Sequence, residues 1–66
     1  MEKHSYFKDT ISLCINIYNI IKHGKCINHI EITRDFSNYL KTDIKWHGLN
    51  IVINNYINDG KYIIVY

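Results

Sequence analysis

The chain has 66 residues, a net charge of +2 and an apolar content of 47%. We expect a single small domain over residues 1–66 with a marginal core, and the apolar content excludes a disordered tail. Ile, Asn, Lys and Tyr, whose codons are rich in A and T, supply 35 residues, while Ala, Gln and Pro are absent. An A/T-rich genome (viral, phage, plasmid or bacterial) is therefore expected, and residue spacing is more informative than residue identity.

The first predicted element is a helix at residues 6–22. One apolar stripe contains Phe7, Ile11, Cys14, Ile15, Tyr18 and Ile21, a second contains Tyr6, Leu13, Ile17 and Ile20, and a polar line contains Lys8, Ser12, Asn16 and Asn19. A surface helix usually needs only one apolar stripe, a little over 100° wide. The helix is therefore either central to the fold or half buried in a partner subunit. We expect Leu13, Ile17 and Ile20 of the second stripe to form an interface with another subunit or a protein partner.

The second predicted element is a helix that begins after Asn28 and continues to Leu40. Asn28 is a suitable N-cap, and Glu31 three residues later is placed to complete a capping box. A strand is the competing interpretation, because residues 30–33 alternate between apolar and polar side chains. The cap and the continuing helical spacing favour the helix.

The third predicted element is a helix at residues 44–59, which is followed by a strand at residues 62–66. The helix would bury Trp46, Leu49, Val52, Ile53, Tyr56 and Ile57. Ile51 does not fit this stripe. The alternative is a strand in the same segment, with Asp59-Gly60 as a hairpin turn into the last strand. The helix is favoured because Asn54 and Asn55 would lie opposite apolar residues in the strand pairing.

These elements predict a mainly α fold, a three-helix bundle of helix-turn-helix type with a short C-terminal β-strand. The alternative is an α+β fold with one N-terminal helix on a small antiparallel sheet. The hydrophobic template resembles the core of winged helix-turn-helix domains and is carried by Ile32, Phe36, Leu40, Leu49, Ile53, Tyr56 and Gly60-Lys61-Tyr62. Only six residues follow Gly60, which is too few for a two-stranded wing, so we expect one strand that pairs near Cys26 and Ile27.

The resemblance implies a small DNA-binding regulator that reads the major groove of duplex DNA with the third helix. Asn pairs with the edge of adenine, and Lys reaches guanine or phosphate. The candidate DNA-binding residues are Lys41, Lys45, His47, Asn50, Asn54 and Lys61. The alternative without a function is that these residues form an ordinary solvent-exposed helix face, and that its Asn content reflects codon usage. The alternative function is a protein-binding module or inhibitor of a host factor that docks through the apolar helix at residues 6–22.

The remaining side chains give little reason to expect an enzyme, a metal ion or a cofactor. His23-x-x-Cys26-x-x-His29 is the only ligand-like cluster, and its spacing is unlike that of common zinc sites. Cys14 lies on an apolar stripe, where a buried thiol is inert. Two cysteines are too few for a disulfide framework, and neither a signal peptide nor a membrane span is expected. The sequence therefore predicts an intracellular protein, in the cytoplasm, nucleoid or nucleus.

Overall fold

The computed structural model describes residues 2–58 and 60–66, which contain two helices and five strands. In chain order the elements are β1 Lys3–Phe7, α1 Thr10–Lys22, β2 His29–Ile32, α2 Arg34–Leu40, β3 Lys45–Trp46, β4 Leu49–Ile53 and β5 Lys61–Val65. The strands form one mixed sheet in the order β1-β5-β2-β4-β3. This is an α+β fold, and the prediction of a mainly α three-helix bundle is wrong.

Strand β5, the last element of the chain, lies between the first two strands. It pairs antiparallel with both β1 and β2. Strand β2 pairs parallel with β4, and the chain between them crosses over through α2. Strand β3 completes the other edge, antiparallel to β4. The predicted C-terminal strand is confirmed, and its pairing starts close to the expected place, where the Asn28 amide donates to the Val65 carbonyl at 2.8 Å.

Both helices pack on the same face of the sheet. The Tyr62 hydroxyl lies 3.1 Å from Ser12 Oγ on α1, and the Tyr62 ring centroid lies 6.0 Å from that of Phe36 on α2. Between the helices and the sheet is a core of Leu13, Ile20, Ile30, Ile32, Phe36, Ile51, Tyr62 and Ile64. Because successive strand residues face opposite sides, the neighbours of these strand residues line the other face.

The first predicted helix starts later than expected. Tyr6 and Phe7 belong to β1, where Tyr6 pairs with Tyr62 and their ring centroids lie 5.4 Å apart. Asp9 is the N-cap of α1, and its carboxylate accepts a hydrogen bond from the Ser12 amide at 3.3 Å. The helix ends at Lys22 as predicted. The spacing of Tyr6 and Phe7 fits both elements, and cross-strand pairing decides for the strand.

The start of the second predicted helix is a strand. Ile30 pairs with Ile51 on one side and with Ile64 on the other, so the alternation of residues 30–33 describes this segment correctly. Helix α2 begins only at Arg34 and is capped by Thr33, whose hydroxyl accepts the amide hydrogen of Phe36. The predicted cap at Asn28 is therefore wrong.

The third predicted helix, at residues 44–59, is replaced by a hairpin of β3 and β4 and a following loop. Its predicted last residue, Asp59, lies outside the described residues. Ile51, the residue that did not fit the helical stripe, is buried in the sheet. Ile51, Val52 and Ile53 are β-branched and well suited to a strand. Long-range pairing with β2 thus overrides a helical spacing that is only local.

Candidate functional site

The outward face of α1 carries an uncovered apolar row. Ile11 is 69% exposed, Ile15 53%, Tyr18 63% and Ile21 55%. From Thr10 to Ile21 the helix contains no charged residue. Scattered exposed apolar residues are ordinary, whereas a contiguous row of this size usually marks an interaction surface. We call Ile11, Ile15, Tyr18 and Ile21 the outer row.

The inward face of α1 contains two uncharged polar residues, Ser12 and Asn16, as well as apolar ones. Asn16 Nδ2 donates to the Tyr62 hydroxyl at 2.9 Å and to Ser12 Oγ at 3.1 Å, and Ser12 Oγ lies 3.1 Å from the same hydroxyl. A buried tyrosine hydroxyl needs such partners. These bonds fix the rotation of the helix about its axis, with Leu13 buried beside them and the outer row facing solvent.

A groove extends the outer row towards the β3–β4 hairpin. It has a volume of about 330 Å³. Its walls are Cys14, Ile17, Tyr18 and Ile21 from α1 and Trp46, His47 and Leu49 from the hairpin. An apolar groove of this kind suits a hydrophobic side chain from a partner better than a polar small molecule.

The turn of the hairpin holds the far wall of the groove in place. His47 and Gly48 are its two central residues and have left-handed φ angles of 50° and 81°. Two successive positive φ angles are typical of the type I′ turn, which matches the twist of paired strands. The imidazole of His47 meets the Trp46 ring edge-on, with 4.2 Å between ring centroids.

The residues that the sequence assigned to a partner interface lie mostly inside the monomer. Leu13 and Ile20 are buried in the core, and Ile17 is half-buried at the wall of the groove. Apart from Tyr6 and Phe7, which belong to β1, the members of the two apolar stripes lie on α1. The sequence did not reveal which stripe faces the sheet. The signal that decides this is the Tyr62 hydroxyl, which requires polar neighbours from the same side of the helix as Leu13.

The residues that the sequence assigned to DNA do not form one helical face. Lys41 is the C-cap of α2, His47 is in the hairpin turn, and Lys61 is the first residue of β5. Only Lys45 and Asn50 are brought together, as cross-strand partners in the hairpin. The ammonium of Lys61 lies over the Phe7 ring, 5.1 Å from its centroid. Phe7 is on β1, at the edge of the sheet opposite to the β3–β4 hairpin.

Asn54, another of these residues, belongs to a polar cluster around Glu31 on the face of the sheet opposite the helices. The buried Glu31 carboxylate accepts from Asn54 Nδ2 at 2.8 Å and contacts His29 Nε2 at 2.9 Å, with Lys3 Nζ at 3.8 Å. An ionised carboxylate can only accept, so His29 Nε2 is the donor. These contacts, the His29 bond first, hold the pKa of Glu31 below its ordinary value. The cluster ties β1, β2 and the end of β4 together.

The His23, Cys26 and His29 cluster is not arranged as a metal site. His29 contacts Glu31, His23 Nδ1 lies 2.7 Å from the Asn19 carbonyl oxygen, and Cys26 is exposed. Within residues 2–58 and 60–66, no group of three or more His, Cys, Asp or Glu side chains is placed to hold a metal ion. Cys14 is exposed at the groove, in contrast to the expectation of a buried thiol.

Comparison with protein-family models, curated proteins and solved structures finds no match for this chain. In the part of the chain that the structure describes, no helix has the length and apolarity required to span a bilayer. The outer row of α1 and the adjoining groove are the features that most need an explanation.

Proposed function

We propose that this protein is a small protein-binding module that docks a partner on the outer row of α1 and the adjoining groove. The observation that carries the proposal is the exposure of Ile11, Ile15, Tyr18 and Ile21, each more than half exposed, on one side of a single helix. Leaving such a row in water forgoes roughly 25 cal/mol of stabilisation for each square ångström of apolar surface. A partner that covers the row recovers this free energy.

Codon bias does not account for the arrangement. An A/T-rich genome supplies Ile, Asn and Tyr throughout the chain, but it does not set which side of α1 faces water. Here Ser12 and Asn16 are used against the sheet while Ile11 and Ile15 are left outside. Lys and Glu, which an ordinary exposed helix face prefers, do not occur between Thr10 and Ile21.

Recognition of the DNA major groove by residues 44–59 is not put forward, because the helix on which it depended is a hairpin. The lysines on which it relied are dispersed over the C-cap of α2, β3 and β5. We place the module in a reducing, intracellular compartment, since Cys14 and Cys26 are both exposed and unpaired. The proposal is one of binding, without catalysis.

The test compares the parent chain with two variants, each of which carries a single substitution that adds one positive charge. Ile15→Lys places an ammonium group in the outer row, and Asn50→Lys places one on the exposed hairpin strand. Each purified chain is immobilised and exposed to a lysate of the cells that produce it, and retained proteins are quantified by mass spectrometry. Circular dichroism confirms that both variants are folded.

We expect one stoichiometric partner on the parent and on Asn50→Lys and its loss on Ile15→Lys. A foreign protein and a second copy of the chain both count as partners, and the second copy is detected with a differently tagged chain. Equal retention by all three chains would move the binding surface away from α1. Retention of duplex DNA that weakens with salt, and that Ile15→Lys leaves unchanged, would replace the proposal with nucleic-acid binding.

A further inference from the structure

We propose that the partner of this surface is a second copy of the chain, with the two α1 helices packed antiparallel about a twofold axis between Ile15 and Tyr18. This inference rests on the proposed function and adds the identity and orientation of the partner. It requires a surface that is complementary to itself, since a twofold interface uses the same patch on both subunits.

Four residues on the outward side of α1, which we call the crest, meet this requirement by their spacing. Ile11, Ile15, Tyr18 and Lys22 follow one another at intervals of four, three and four residues, which is the seam spacing of a two-stranded coiled coil. The series is the same when it is read backwards. In an antiparallel pair Ile15 therefore faces Tyr18 of the other copy, and Ile11 faces Lys22.

The charges at the two ends of the helix favour the antiparallel orientation. Asp9 caps the N-terminus, and Lys22 is the basic residue of the last turn. An antiparallel pair brings Lys22 of one copy towards Asp9 of the other. The two helix dipoles then point in opposite directions, which is the favourable arrangement for helices side by side. A parallel pair would bring Lys22 next to Lys22 and Asp9 next to Asp9, which is unfavourable.

Lys22 is also suited to face an apolar residue. Its ammonium lies 5.9 Å from the centroid of the Tyr18 ring, so its aliphatic stem already follows the crest. Long basic side chains commonly cover apolar surface with their stems while the charged end stays in water. Across the interface the stem would cover Ile11, and the ammonium would be free to reach the acidic end of the partner helix.

The length of the contact sets the expected strength. Helix α1 has 13 residues and is about 20 Å long at 1.5 Å per residue. This allows fewer than two full heptads, so the crest alone gives a dimer that dissociates on dilution. Cys14 and Ile21, on the side of the helix towards the groove, widen the contact and give side chains of the partner a place to insert.

The first measurement is the oligomeric state of the full chain. Sedimentation velocity is run over a wide range of concentration for the parent, Ile15→Lys and Asn50→Lys. We expect a monomer–dimer equilibrium for the parent and for Asn50→Lys, and dissociation at least tenfold more favourable for Ile15→Lys. A dimer that is unchanged by Ile15→Lys would overturn the proposal, because its interface would lie elsewhere.

The second measurement tests orientation by cross-linking. In a background of Cys14→Ser and Cys26→Ser, one preparation carries Ile11→Cys and another carries Lys22→Cys, and a short bismaleimide is added. The mixture should give a cross-linked dimer, because positions 11 and 22 face each other. Each preparation alone should not, since two copies of position 11 lie about 16 Å apart along the paired helices. Cross-linking within each preparation alone, between two copies of position 11 or two copies of position 22, would show parallel helices and overturn the register.

Self-association and the protein-binding function are distinguished by these measurements. A parent chain that remains monomeric at every concentration overturns the second copy as partner. If that monomer still binds a foreign protein and Ile15→Lys does not, the protein-binding function stands without self-association. A monomer that binds no protein at all removes both the partner and the function.

Discussion

Asn16 on α1 donates a hydrogen bond to the Tyr62 hydroxyl on β5, with 2.9 Å between Asn16 Nδ2 and the hydroxyl oxygen. Ser12 Oγ, 3.1 Å from both atoms, completes a small network on the sheet side of the helix. Because the network fixes the rotation of α1, it also decides which apolar residues are left outside. The exposed outer row is thus a consequence of a polar contact made on the opposite side of the same helix.

Tyr62→Phe is predicted to destabilise the fold while leaving its shape intact. The substitution removes the hydroxyl and leaves Ser12 and Asn16 without their shared partner, at a cost of about 1–2 kcal/mol. Tyr18→Phe is the matched control, since Tyr18 is 63% exposed, and should change stability by less than about 0.5 kcal/mol. Urea denaturation of both variants gives the comparison. Equal stability of the two variants would show that the network does not hold the helix.

The two sides of α1 are predicted to respond very differently to truncation. Leu13→Ala removes a fully buried side chain and should cost about 2–5 kcal/mol. Ile15→Ala, two positions along and exposed, should cost less than about 0.5 kcal/mol in the monomer. Chemical denaturation at low protein concentration measures both. Comparable losses would mean that the helix is rotated relative to the orientation described above.

Local spacing gave the correct end of α1 and the last strand, and it also separated the two apolar stripes of the helix. It failed where one pattern fits two structures. Residues 30–33 alternate like a strand and also complete a capping box, and Ile51 was the single misfit in an otherwise helical stripe. Both segments lie in the sheet because β2 and β4 pair with each other. Such pairing joins residues about twenty positions apart, which periodicity within a short window does not detect.

Which of the two apolar stripes packs on the sheet could not be predicted, for a related reason. The sequence showed more apolar surface on α1 than one small core can cover, and the exposed outer row agrees with that expectation. Which stripe faces the sheet depends on Tyr62, 46 residues after Asn16. No pattern within the helix contains that information.

The Glu31 cluster predicts acid sensitivity. Contacts with His29, Asn54 and Lys3 hold the pKa of Glu31 below the ordinary value of 4.5 in the folded chain. The unfolded chain therefore binds the proton first as pH falls, and stability is lost from about that value downward through the lower folded pKa. Above the ordinary value the contribution is fully present.

Glu31→Gln should flatten this dependence, because an amide does not titrate. Thermal unfolding midpoints of the parent and the variant are compared over a pH series from neutral to acid. Glu2→Gln is the control. The pKa of Glu2 is also lowered, mainly by its hydrogen bond with His4, but its carboxylate is largely exposed and solvent screens its contacts. A parent whose stability does not fall more steeply with acid than that of Glu31→Gln would contradict this role.

We predict that substitutions at Gly48 lower stability through the backbone conformation of the turn and not through a lack of room for a side chain. Gly48 has a φ of 81°, and an added Cβ would meet no atom within 4 Å. Gly48→Ala should therefore cost about 1–2 kcal/mol through the left-handed conformation alone. Gly48→Asn is the matched variant and should cost less, because Asn tolerates that region. Denaturation followed by Trp46 fluorescence reports on both. A larger loss for Asn than for Ala would point to crowding at the turn.

We predict that a partner bound to α1 protects Cys14 from alkylation and leaves Cys26 reactive. Both thiols are exposed in the monomer, but Cys14 lines the groove beside the outer row and Cys26 lies in the loop between α1 and β2. As the protein concentration rises, alkylation of Cys14 should slow, because a partner helix excludes the reagent, while alkylation of Cys26 should stay constant. Rates are read site by site by mass spectrometry. In Ile15→Lys both rates should be independent of concentration, since the charge prevents pairing.

If Cys14 in the parent reacts at one rate at all concentrations, and no added partner slows it, then α1 remains uncovered and the outer row is not a binding surface.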